Sequence, residues 1–163
     1  MITEIKKILY STDLSKNARY AFGYAAEIAN KHNAKITILH VLEEISHSAS
    51  VRMASMLGEE RWQDLQDQNV QEVLDTIKER LDKFCGDMKK ELIDCQFMVE
   101  DIVVKQGNPV SEILKQADLT DCDLIVMGTH GQGALANAML GSTARRVVRR
   151  SLKPVLTIRL PKS

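Results

Sequence analysis

Short aliphatic runs alternate along the chain with stretches in which apolar residues recur every three or four positions, the periods of strand and helix. Ile8-Leu9-Tyr10 follows a lysine pair and stops at Ser11-Thr12-Asp13, which predicts a buried strand ending in turn residues. Ser15 then suits the N-cap of a helix, since Ala18, Phe22, Ala25, Ala26 and Ala29 keep helical spacing as far as His32-Asn33. Residues 35–42 return to β-branched and aliphatic content, a second strand ending near Val41. Such a β-α-β unit closes through a right-handed crossover, with its strands parallel.

The pattern loosens between residues 43 and 60. Ser46-His47-Ser48-Ala49-Ser50 is small and polar, and Met53, Met56 and Leu57 suggest a brief helical turn before Gly58. Trp62, Leu65, Val73, Ile77, Leu81, Phe84 and Met88 then mark one face of a long amphipathic helix, expected to face the core, while Met53, Met56 and Met88 offer a deformable surface suited to a partner. Residues 97–105 form the third strand. Gly107-Asn108-Pro109 turns into a helix carrying Val110, Ile113, Leu114 and Ala117. Asp123-Leu124-Ile125-Val126-Met127 is the near-continuous apolar strand of a sheet covered on both faces, ending at Gly128. After a glycine-rich loop, Ala144, Val147, Val148 and Ser151 define a short helix. Lys153-Pro154 breaks it, and Val155-Leu156-Thr157-Ile158-Arg159 is the last strand. The alternation predicts a doubly wound α/β protein with a five-stranded parallel sheet.

Length changes that picture little: 163 residues make one domain, 1–163, without linker or repeat. Charge excludes more. With Lys+Arg 22 against Asp+Glu 22 there is no global basic field, so no specific nucleic acid or anionic membrane partner is expected. Apolar residues at 44% with aromatics at 4% imply an aliphatic core. Cys85, Cys95 and Cys122 are odd in number and lack C-x-x-C spacing, which predicts free thiols in a reducing, cytoplasmic setting. No apolar run approaches the roughly 20 residues of a membrane span. The opening Met1-Ile2-Thr3-Glu4-Ile5-Lys6-Lys7 runs straight into a strand instead of an apolar signal segment, so export is not expected.

Candidate chemistry gathers where an open parallel sheet binds ligands, beyond the carboxyl ends of its strands. After strand one stands Ser11-Thr12-Asp13; after strand four stands Gly128-Thr129-His130-Gly131-Gln132-Gly133, with Gly141-Ser142-Thr143 at a helix start. The glycines admit a ligand close to the backbone, and the helix start offers unpaired N–H groups, so phosphate is the natural guest. The order is neither G-x-G-x-x-G nor G-x-x-x-x-G-K-[ST], and a plain glycine-rich turn before an ordinary N-cap gives the same pattern. Asp13 suits either a turn or a ligand contact. His130 has no carboxylate beside it in sequence to orient it as a base. His40, between Leu39 and Val41, reads as a core histidine, and His32 and His47 show no metal spacing. Arg145, Arg146, Arg149 and Arg150 suit phosphate or nucleic acid, but a solvated helix end accounts for them as well.

The run G-x2-G-x9-G-[ST], with Gly128, Gly131, Gly141 and Ser142 in register, resembles the ATP-binding subclass of the universal stress protein family. The resemblance extends to Asp13 and Ser15, His40-Val41, Gly107-Asn108-Pro109, residues 123–127 and Pro154-Val155-Leu156, leaving a variable segment at about 43–94. It implies strand order 3-2-1-4-5, a homodimer, and bound ATP or a related adenine nucleotide, with or without Mg2+. By position, Asp13 with Ser11 and Thr12 meets the ribose or a bound metal, Val41 the adenine, and Met127-Gly128 the ribose. Gly131, Gly133, Gly141, Ser142 and Thr143 cradle the phosphates, with His130 close by. Ser11, Gln132 and Thr143 depart from residues common there. The function implied is regulatory nucleotide binding in the stress response. A slow ATPase or phosphotransferase, and a nucleotide-free scaffold, stand as alternatives. No base adjoins the phosphate loop and no lysine lies within it, which favours a holder over an enzyme.

Overall fold

The computed structural model describes residues 4–44, 46–129 and 140–161. Strands β1 (Lys7–Thr12), β2 (Lys35–Glu43), β3 (Met98–Gly107), β4 (Leu124–Gly128) and β5 (Val155–Ile158) alternate with helices α1 (Lys16–His32), α2 (His47–Leu57), α3 (Glu59–Glu91), α4 (Pro109–Leu119) and α5 (Ser142–Arg150). The strands form one sheet, ordered β3-β2-β1-β4-β5, and every neighbouring pair is parallel. The expected order 3-2-1-4-5 is therefore the observed one, with Leu9 opposite Thr37 on one side and Ile125 on the other. Asp123 locks that register by accepting the backbone N–H groups of Lys6 and Lys7 at 2.8 and 2.9 Å.

Because side chains alternate across a strand, β1 feeds two cores. Ile8 and Tyr10 join α1 and α3 through Ala21, Phe22, Ala25, Ile77 and Leu81; Leu9 joins α4 and α5 through Ile113, Ala117, Ala144 and Val147 on the opposite face. Phe22 is the pivot of the first core, meeting Tyr10, Phe84 and Phe97 edge to face at 5.1–5.2 Å. Burial raises the Tyr10 phenol well above its usual range, and its hydroxyl donates to the Ala18 carbonyl. Cys85 and Cys122 are buried free thiols and Cys95 is half-buried.

Three expectations need correction. The segment before Gly58 is a full helix, α2, capped where the Ser46 side chain accepts the Ala49 N–H, and not a brief turn. The long amphipathic face of α3 is core-facing only in its second half. Ile77, Leu81, Cys85 and Met88 are buried, whereas Leu65 and Val73 are exposed and Trp62 is half-buried. Length explains this: at about 1.5 Å per residue a helix of 33 residues runs about 50 Å, far past the strands it covers. Since α2 follows the carboxyl end of β2 and α3 leads down to the amino end of β3, the surplus rises above the carboxyl edge of the sheet. The last strand also ends one residue early, at Ile158, leaving Arg159 outside it.

Candidate functional site

All five strands end on one edge, and there the loop after β1 is knitted by its own side chains. The Thr12 hydroxyl and the Asp13 carboxylate each accept a backbone N–H at 3.0 Å, from Leu14 and Ser15 respectively. Leu14 is held in the left-handed region at φ 63°. Ser15 caps α1 by accepting the Ala18 N–H at 3.2 Å. From the neighbouring strand, His40 Nδ1 lies 2.8 Å from the Thr12 carbonyl oxygen. That oxygen can only accept, so Nδ1 carries the proton and Nε2 is the other ring nitrogen. His40 is thus a half-buried wall of the site and not the core residue its apolar neighbours suggest.

The loop after β4 leaves and returns at one point. Thr129 N–H donates to the Ile158 carbonyl at 2.9 Å, and the Thr129 carbonyl accepts the Gly141 N–H at 2.8 Å. The bond from Thr129 to Gly141 precedes α5, for which Gly141 is the N-cap and whose first turn carries no acidic residue. Having no side chain, Gly141 leaves the N–H groups that open α5 to other partners. Gly128 is required by close packing: a Cβ there would run into the Asn17 side chain, which is buried at the start of α1.

These ends enclose a cavity of about 620 Å³. Of the residues singled out from the sequence, Ser11, Thr12, Asp13 and Val41 line one side; Met127, Gly128, Gly141, Ser142 and Thr143 line the other. His130, Gly131 and Gly133 lie outside the described residues. Sequence reasoning missed Glu43, Pro109 and Ile113, which reach the cavity from β2 and α4. Only the order β2-β1-β4 brings them there; Pro109 alone carried a signal, as the first residue of its helix. Among the described residues no group of three or more His, Cys, Asp or Glu side chains is placed to hold a metal ion. A second cavity of about 470 Å³ lies on the outer face of α1, between Tyr20, Gly23, Tyr24 and Met88. It has no strand end or glycine loop.

The class so defined is a doubly wound α/β protein with a pocket at its strand crossover. The chain belongs to the universal stress protein family, whose family profile matches residues 4–159. It is 32% identical over 154 residues, 94% of either chain, to universal stress protein MJ0577 of Methanocaldococcus jannaschii. The solved structure of MJ0577 superposes with a TM-score of 0.73 at 30% identity, covering 99% of this chain and 100% of that one. Two more distant solved structures share the fold. A universal stress protein in complex with cAMP is 23% identical, with TM-score 0.55 and 96% and 98% coverage of this chain and that one. One from Archaeoglobus fulgidus in complex with dAMP is 22% identical, with TM-score 0.52 and 95% and 98% coverage. No helix among the described residues is long and apolar enough to cross a membrane.

Proposed function

We propose that this chain is a regulatory adenine nucleotide-binding protein that holds ATP in the pocket between β1, β2, β4 and the start of α5. One observation carries the reading: the β1 and β4 loops and the uncapped helix start at Gly141 converge on one cavity of about 620 Å³, within the range of small-ligand sites. The donor set fits the group. N–H groups at the start of α5 and the Ser142 and Thr143 hydroxyls suit phosphate oxygens, helped by the positive end of the helix. Val41, at the end of β2, offers an apolar surface and main-chain groups to the base. Asp13 is the carboxylate that would meet the ribose or a Mg2+ ion carried in by the phosphates. Relatives in complex with cAMP and dAMP support the adenine nucleotide class.

Titration calorimetry with ATP and Mg2+ tests the reading. The wild type is expected to bind, and Gly131→Val, shown folded by circular dichroism, to lose at least tenfold, about 1.4 kcal/mol. Equal affinity in the two proteins, or no binding by the wild type, overturns it.

A further inference from the structure

Residues 47–76, comprising α2 and the first half of α3, form an arm with no buried side chain among those described. Two helices packed on each other without a core do not recover the cost of ordering them, since helical stability in proteins comes mainly from burying an apolar face. The arm keeps apolar surface in the open. Met56 is 80% exposed, and Val51, Met53, Leu57, Leu65 and Val73 lie between 38% and 50%. Around it stand six exposed carboxylates, Glu59, Glu60, Asp64, Asp67, Glu72 and Asp75, against only Arg52 and Arg61. None of the ion pairs found among the described residues uses any of these eight side chains.

The opposite character occurs at another corner of the same chain. Arg145, Arg146, Arg149 and Arg150 project from α5 with no acidic residue between them and no ion pair among the described residues. Next to them Val148 is 46% and Leu152 95% exposed. Leu152 sits in a turn pinned by Lys153, whose Nζ is 2.7 Å from Asp121, so Leu119 at the end of α4, 68% exposed, belongs to the same corner. This is a cationic rim around an apolar knob. It matches the arm in both charge and hydrophobicity.

We infer that the arm of one copy docks on the α4–α5 corner of a second copy of this chain. Charge decides the occupant. Two arms laid face to face would oppose carboxylates to carboxylates, and the second half of α3 mixes Lys78, Lys83, Lys89 and Lys90 with Glu79, Asp82, Asp87 and Glu91. On the α4–α5 corner the four arginines outnumber the exposed Asp118 and Asp121, the latter already paired with Lys153. The α4–α5 corner lies on the opposite face of the sheet from α3, so one chain can give its arm and receive another's. It is independent of what the pocket binds.

Cross-linking reads the contact directly. In a Cys95→Ser background, chains carrying Leu65→Cys are mixed with chains carrying Leu152→Cys under mild oxidation, and the disulfides are mapped by mass spectrometry. The expected product is the 65–152 link in large excess over 65–65 and 152–152. A second arm uses charge. Arg149→Glu with Arg150→Glu is expected to reduce that link at least fivefold, and Glu60→Lys with Asp64→Lys on the other chain to restore it. A dominant 65–65 link, which would mean arm-to-arm pairing, overturns the inference. So does a yield no higher than in the Cys95→Ser parent, as expected if the arm serves a different protein.

Discussion

His40 ties β2 to the turn after β1 through a single hydrogen bond to the Thr12 carbonyl, and the Thr12-Asp13 turn forms one wall of the pocket. Asparagine places an amide nitrogen about where Nδ1 stands, whereas alanine places nothing there. His40→Ala is therefore expected to weaken ATP binding threefold to tenfold, about 0.6–1.4 kcal/mol, and His40→Asn to recover most of the loss, as measured by calorimetry. Equal losses in the two variants would show that the bond to Thr12 is not what matters. Gly128 gives a steric counterpart. A methyl group there meets the buried Asn17 amide, so Gly128→Ala is expected to cost about 1–3 kcal/mol in urea unfolding and to weaken nucleotide binding.

Helix ends and helix faces separate positions that look alike in the sequence. Ser15 caps α1, and Ser15→Ala is expected to cost about 1 kcal/mol of stability. Leu65 and Leu81 are both leucines of α3, yet Leu81 is fully buried and Leu65 is 38% exposed. Leu81→Ala is expected to cost about 2–5 kcal/mol, because a cavity opens beneath Phe22 and its neighbours. Leu65→Ala, measured at a concentration where copies do not associate, is expected to stay within about 0.5 kcal/mol. Comparable losses at the two positions would show that the arm is held by the fold of a single chain.

At the scale of the molecule, β5 is an edge strand with β4 as its one neighbour in the sheet. The carbonyls of Pro154 and Ile158 accept from Ile125 of β4 and from Thr129 just after it, so by alternation the N–H of Thr157 points away from β4. We propose that this free side pairs antiparallel with β5 of a second copy about a two-fold axis. Thr157→Pro removes an outward donor without breaking a bond to β4; with Arg149→Glu and Arg150→Glu present in both proteins to remove the arm contact, sedimentation is expected to show a dimer with Thr157 and a monomer with Thr157→Pro. A wild type that stays monomeric at high micromolar concentration, with and without ATP, refutes the pairing. The sequence by itself determined the five strands, the parallel alternation, the Ser15 cap, and the glycines and hydroxyls at positions 128 and 141–143, because each rests on local periodicity or on the conformational needs of one residue. Only the tertiary structure decided that Glu43, Pro109 and Ile113 share a cavity with Asp13, and that His40 holds Thr12, since both depend on which strands become neighbours. It alone decided that half of the α3 stripe is left in solvent: a helical period records which residues share a face, but not how far the sheet extends beneath it.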